Sequence, residues 1–238
     1  MSQIAQIYNL ELVRTAAERL AGRTDGLPGM AALYGPPGYG KTTAALAIAN
    51  ENRAYFVQMR SAWSRKTLLE KILIEMGAKP HGTISQMLDQ VCEQLATSRR
   101  MLMIDEFDYC VRNDATIELV RDIYEGSQAT LLLLGEELLP NKLKKHERFH
   151  SRILSWIPAQ PITLQDAAAL APIYCPGLAI GSDLLEHLVK LSGGSVRRVS
   201  VNLAAIYEAA AVEGWENVTR ATWGDRPVYT GEAPRRAA

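Results

Sequence analysis

Neither sign of charge dominates this chain: 26 Lys and Arg stand against 26 Asp and Glu in 238 residues. That balance excludes a globally basic nucleic-acid binder, so any such surface must be built locally. Cysteine is scarce too. Cys92, Cys110 and Cys175 are odd in number and far apart, with no C-x-x-C pair. They exclude a disulfide framework and lead us to expect reduced, buried thiols. No apolar run reaches the ~18 residues of a membrane span, and Met1 to Thr15 lacks a basic-then-apolar leader. A cytoplasmic protein without membrane contact is the expectation. His81, His146, His150 and His187 show no metal-ligand spacing. What remains is ordinary globular material, 47% apolar and 22% charged, long enough for one large domain or one domain with a small appendage.

Ile4, Ile7, Leu10, Val13, Ala17 and Leu20 recur at helical spacing, and Gly22 ends the helix they predict. Short apolar runs then alternate with helical patterns, the layout of a parallel sheet with helices on both faces. Strands are predicted at Met30 to Tyr34, Tyr55 to Val57, Met101 to Ile104, Ala129 to Leu134 and Ile153 to Ile157. Helices are predicted near Ser64 to Met76, Thr83 to Thr97 and Ala115 to Ser127, the second opened by a Thr83/Gln86 capping box. After Pro158 the pattern is helical only, with a Thr163/Asp166 capping box, Ser182 as an N-cap and Gly193-Gly194 between two helices. The expected organisation is an α/β domain over 1–160, an all-helical subdomain over 161–220 and a flexible tail over 221–238, where Gly224, Pro227, Gly231 and Pro234 break any periodicity.

One motif carries the chemistry. Gly35-Pro36-Pro37-Gly38-Tyr39-Gly40-Lys41-Thr42-Thr43 fits the phosphate-binding loop G-x-x-x-x-G-K-[ST] at every fixed position. Its glycines let main-chain N–H groups curl around the β- and γ-phosphates of ATP, Lys41 adds a positive charge, and the Thr42 hydroxyl is a ligand for Mg²⁺. The helix predicted from Thr43 to Asn50 turns its positive end toward the same anion. The acidic partner is at hand. Met101 to Ile104 runs into Asp105 and Glu106, an apolar strand that carries a magnesium ligand, Asp105, and a base for the lytic water, Glu106, to one edge.

The loop G-P-P-G-x-G-K-T, the strand ending in Asp105-Glu106, an Arg-bearing loop before the fifth strand and a helical C-terminal part resemble the AAA+ ATPases. The resemblance implies a P-loop AAA+ five-stranded parallel sheet flanked by helices and followed by a small helical lid. It implies two further roles. Ser151-Arg152-Ile153 looks like the element that sends an arginine finger, Arg152, into a neighbouring subunit, with Arg148 the second choice. Gly194-Ser195-Val196-Arg197 resembles the start of a lid helix whose arginine, Arg197, reads the γ-phosphate in cis. Arginine suits both duties, being always charged and forked onto two oxygens. One position departs from the family: the fourth strand runs into Glu136 and Glu137, where a neutral polar residue is usual. A carboxylate there repels a γ-phosphate unless it is turned away, and otherwise implies slow hydrolysis.

Within that family the chain is most similar to the ATPases that deliver target DNA to transposases in Mu-type phages and transposons. The likeness spans roughly residues 5 to 215 and includes Leu134-Gly135-Glu136-Glu137-Leu138-Leu139. It implies duplex DNA held by its backbone, a transposase partner in a bacterial host cell, and head-to-tail copies forming a ring or filament. Two local basic stretches permit such a role. Residues 53–71 hold Arg53, Arg60, Arg65, Lys66 and Lys71 against Glu70, and residues 141–152 hold Lys142, Lys144, Lys145, Arg148 and Arg152 against Glu147. The first supplies the candidate phosphate contacts, Arg60, Arg65, Lys66 and Thr67. Rival readings are a helicase-loader or replication-initiation ATPase, a secretion or assembly ATPase, and a low-turnover nucleotide switch.

Overall fold

The apolar runs become strands. In the computed structural model of the chain, which describes residues 4–232, helix α1 (Tyr8–Ala21) leads to strand β1 (Met30–Tyr34) and helix α2 (Lys41–Asn52). β2 (Tyr55–Gln58), α3 (Arg65–Glu75), α4 (Ile84–Ser98), β3 (Leu102–Asp105), α5 (Asp108–Val111), α6 (Asp114–Ser127) and β4 (Leu131–Gly135) follow. The short helices α7 (Leu139–Leu143) and α8 (Glu147–His150) then precede β5 (Ile153–Pro158). The five strands pair in parallel in the order β2-β3-β4-β1-β5. The connection from β1 runs to the far edge of the sheet and the one from β4 crosses the other way. The carboxyl ends of β1 and β4 therefore flank a switch point, where open α/β sheets bind their ligands.

Contacts divide the chain into two units. The sheet unit comprises Leu12–Gly35 and Lys41–Ala159. Its central strands are covered on both faces, and all five residues of β4 are buried, as the unbroken Leu131-Leu132-Leu133-Leu134 run requires. On one face Leu68, Leu69, Ile72 and Leu73 of α3, Met87, Val91 and Leu95 of α4, and Ile117, Val120 and Ile123 of α6 join one core. Their spacing by three and four is the helical stripe, and each fully buried side chain contributes roughly 1.5–3 kcal/mol. Phe107 and Phe149 stack inside it with centroids 5.6 Å apart. Ser64 caps α3 through the Thr67 N–H, and the Thr83/Gln86 capping box opens α4.

The second unit holds residues 4–11, Pro36–Gly40 and 160–232. It contains α9 (Leu164–Tyr174), β6 (Ala179–Ile180), α10 (Ser182–Leu191), α11 (Val196–Glu213), β7 (Asn217–Val218) and α12 (Arg220–Trp223). The Thr163/Asp166 capping box forms, and the Asp166 carboxylate also accepts the Tyr8 N–H at 2.7 Å, where α1 starts. Three expectations need correction. The region is not helical only, because β6 and β7 pair in parallel; two-residue strands leave no periodic trace. Ser182 is the first helical residue and Gly181 the cap. Asp183 does the capping work instead, accepting the Leu184 N–H at 2.8 Å and the Arg220 N–H at 3.0 Å. The stretch read as a flexible tail carries α12 and the buried Trp223. Buried Asn202 needs partners for its amide, and takes the Tyr229 N–H at 2.7 Å and the Tyr229 carbonyl at 2.9 Å. Pro234, Arg235 and Arg236 lie outside the described residues.

Candidate active site

In the sheet unit, the carboxyl ends of three neighbouring strands bring the motif residues together. β1 ends at Tyr34 opposite Gly135 of β4, and the Gly35 N–H donates to the Gly135 carbonyl at 3.3 Å. β3 lies on the other side of β4, and beyond its last residue the Phe107 N–H donates to the Leu134 carbonyl at 2.8 Å. Lys41 opens α2, whose first turn holds no acid, and its Nζ donates to the Gly35 carbonyl at 2.6 Å. Thr42, one residue on, donates its hydroxyl to Asp105 Oδ2 at 2.8 Å. The other Asp105 oxygen accepts the Glu106 N–H at 2.8 Å. Loop and acid strand are thus joined by a direct hydrogen bond.

Glu106 has φ 54°, a left-handed conformation that costs a non-glycine residue of the order of 1 kcal/mol or more and gathers at functional sites. Burial raises its affinity for a proton, and Asp105, Glu136 and Asp108 add to the rise while Lys41 opposes it. Such a carboxylate is suited to taking a proton from water. Burial pushes the Lys41 ammonium below its usual range, against the pull of Asp105, Glu106, Asp108 and Glu136. Glu136 is itself partnered. Its carboxylate lies 3.4 Å from Lys142 Nζ, and Lys142 also bonds the buried Asp108 at 2.6 Å. The departure noted in the sequence therefore carries its own cation.

In the helical unit, the loop tip Pro36–Gly40 meets the residues expected to read it. Gly38 has φ 82°, and a Cβ there would come within 2.5 Å of Ser195 Oγ, so only glycine fits. The Gly38 carbonyl accepts the Arg197 N–H at 3.1 Å and the Ser195 hydroxyl at 3.4 Å. The Tyr39 hydroxyl donates to the Gly193 carbonyl at 3.3 Å. The Arg197 side chain is exposed at the start of α11. Asn9 was missed from the sequence. It is 3% exposed and its amide donates to the carbonyls of Tyr39 and Gln160, each at 2.8 Å. The signal was a lone amide between the apolar positions Ile7 and Leu10.

The remaining candidates lie elsewhere in the sheet unit. Arg152 immediately precedes β5 and its Nε donates to Glu125 at 2.6 Å. With Gly26, Leu27, Pro28, Tyr124 and Gln128 the pair lines an open, polar hollow of about 260 Å³. Arg148 is exposed on α8. Arg60 follows β2 with its guanidinium 6.0 Å from the Trp63 ring, within cation–π reach. Arg65, Lys66 and Thr67 form the first turn of α3. Thr67 donates its N–H to Ser64 Oγ at 3.2 Å, and the two hydroxyl oxygens lie 3.0 Å apart in a shared hydrogen bond.

The donor set fits a magnesium-bound nucleotide. Thr42 Oγ1 and Asp105 Oδ2 are hard oxygens brought together by their 2.8 Å hydrogen bond, the donor type that magnesium takes. Among the described residues no group of three or more His, Cys, Asp or Glu could hold a metal. A single carboxylate with a hydroxyl leaves the other positions to phosphate and water. Among the described residues no helix is long and apolar enough to cross a membrane.

Three comparisons bear on this geometry. The chain is 26% identical over 178 residues to the replication factor C large subunit of Methanothrix thermoacetophila, across 73% of this chain and 34% of that one. It thus spans about a third of the length of that curated relative. Among solved structures it resembles the ORC2 protein of Aeropyrum pernix, with a TM-score of 0.70 and 17% identity over 92% of this chain and 67% of that one. It also resembles the ORC1 protein of the same organism in complex with DNA, with a TM-score of 0.65 and 20% identity over 93% and 64%. At those identities the likeness is one of fold. The family described as an AAA domain matches residues 24–143, which include the loop, both strand-end acids and Glu136, and the chain belongs to that AAA domain family.

Proposed function

We propose that this chain is an ATP-hydrolysing module that acts on duplex DNA in the manner of a replication initiator. The observation that carries the reading is the Thr42–Asp105 hydrogen bond at 2.8 Å, because it joins the two halves of a magnesium-triphosphate site. Lys41 and the loop N–H groups hold the β- and γ-phosphates, while Thr42 and Asp105 hold Mg²⁺, which when bound neutralises phosphate charge. Glu106 takes the proton of the attacking water, Arg197 answers to the γ-phosphate in cis, and Arg152 reaches the nucleotide of an adjoining copy. That last duty requires head-to-tail assembly, which closes as a ring or runs on as a filament.

Arg60, Arg65 and Lys66 supply backbone contacts to DNA, without sequence preference and weakening steeply with salt. The relatives support the choice of DNA. One is named a replication factor and another was solved with DNA, while a third was solved in ADPNP and ADP complexes. Transposase delivery shares ATP-dependent retention of duplex DNA and differs in the partner that reads it. The names of these relatives favour a replication partner, and no observation on this chain points to a transposase.

The reading is tested by titrating the protein with magnesium-ATP and then with linear duplex DNA at two salt concentrations. Saturable ATP uptake is expected, with DNA retained far better with ATP than with ADP. A Lys41→Ala protein should lose about a hundredfold in ATP affinity, the worth of one or two charged hydrogen bonds, and its DNA retention should lose the nucleotide dependence. Unchanged, ATP-dependent retention by Lys41→Ala would remove the proposal.

A further inference from the structure

β4 delivers a carboxylate to a place where a triphosphate would suffer from it. Glu136 follows Gly135, which pairs with Tyr34 just before the phosphate loop. Yet that strand end is built with care. Asp108 is 6% exposed, and both its oxygens are used: Oδ2 accepts the Glu136 N–H at 2.6 Å and Oδ1 accepts Lys142 Nζ at 2.6 Å. Gly135 makes the room. A Cβ on it would come within 2.5 Å of Asp108 Oδ2 and 2.6 Å of Leu139 Cδ2. α7 then folds back over the strand end, with the Lys142 N–H on the Leu138 carbonyl at 3.0 Å, and its ammonium lands between Asp108 and Glu136.

We infer that Lys142 is a positioning residue, the counter-ion of Glu136, which holds that carboxylate off the phosphate loop and makes the end of β4 compatible with a γ-phosphate. The inference rests on the ATP-binding reading above. Asp108 anchors the arrangement by fixing the Glu136 main chain and one face of the ammonium. The consequence is a preference between nucleotides. A triphosphate carries one more negative charge toward β4 than a diphosphate, so removing the Lys142 charge should weaken triphosphate binding more than diphosphate binding.

The test compares equilibrium affinities for ADP and a non-hydrolysable ATP analogue, both with magnesium, in the full chain. Lys142→Gln keeps a donor for Asp108 and removes the charge. It should lower the preference for the analogue over ADP by about tenfold, the order expected of one charge near a protein surface. Lys142→Arg should keep the preference. Adding Glu136→Gln to Lys142→Gln should restore it to within about twofold, whereas Glu136→Gln alone should change it less than about threefold, the non-additivity of a coupled pair. A merely structural Lys142 would lower both affinities together. An unmoved preference in Lys142→Gln overturns the inference, as does a roughly tenfold gain from Glu136→Gln alone; the latter arm decides should melting show Lys142→Gln unfolded. If the wild type takes up neither nucleotide, the ATP reading and this inference fall together. If it binds both and the preference does not move, this inference falls alone.

Discussion

Residues 53–71 and 141–152 each carry five cations against one acid, and folding gives them opposite fates. In the second stretch Lys142 is held by Asp108 and Glu136, Lys145 lies 4.0 Å from Asp114, and Arg152 is held by Glu125. All these acids lie outside the stretch, so three of its five cations are paired with other parts of the protein. In the first, the one ion pair among the described residues is Lys66 with Glu70 at 3.8 Å. Arg60, Arg65 and Lys66 are exposed. Equal charge in sequence is therefore unequal charge at the surface: among the described residues the first stretch keeps four cations without an ion pair, Arg53, Arg60, Arg65 and Lys71, and the second keeps two, Lys144 and Arg148.

The sharpest way to break the comparison is to show that a spent cation has a second duty. The Arg152–Glu125 pair is about 40% exposed on both sides, so its loss should cost less than about 1 kcal/mol of stability. As a finger, Arg152 is worth far more. Arg152→Ala should lower ATP turnover of the assembled protein about a thousandfold with its melting nearly unmoved. Mixing it with Lys41→Ala subunits should restore activity, because each variant supplies what its neighbour lacks. No recovery on mixing would confine Arg152 to its surface pair.

The next test sets the two stretches side by side. Replacing Arg60, Arg65 and Lys66 together by Ala should weaken DNA retention roughly thirtyfold or more and flatten its salt dependence by up to about 2.7 in log–log slope, near 0.9 per lost phosphate contact. Replacing Lys144, Lys145 and Arg148 should change retention less than about threefold. Filter binding across a salt series measures both. Equal losses would show that the counts, and not the pairing, govern the surface.

What could be read beforehand follows the range of the interaction. Lys41, Thr42, Asp105 and Glu106 belong to motifs whose parts are contiguous, and β1, β3 and β4 carry apolar runs, so both were visible residue by residue. Asn9, Asp108 and Lys142 were not. Each acts only because elements distant in sequence converge on it: Asn9 through Tyr39 and Gln160, Asp108 through β4 and α7. The same limit hid Asp183 as the working cap of α10 and Asn202 as the tie for Tyr229. It also let Glu136 look like an uncompensated charge, since its cation stands six residues on, past a helix start that periodicity did not reveal.

The smallest expected effect is the most discriminating about where DNA would lie. α3 begins with Arg65 and Lys66 and has no acid in its first turn, an arrangement its own dipole opposes. Ser64 supplies the cap alone. Ser64→Asp keeps a capping oxygen, since Asp serves about as well as Ser there, and adds a negative charge worth about 0.3–1 kcal/mol at a helix N-terminus. Stability should therefore hold or rise, by a degree or two in Tm at this size. DNA retention should fall about threefold, because the same carboxylate would face the phosphates expected at Arg65 and Lys66. The two readings must move in opposite directions. Retention that falls only with melting would mean a damaged helix, and retention that stays level while the protein is stabilised would put the DNA away from the start of α3.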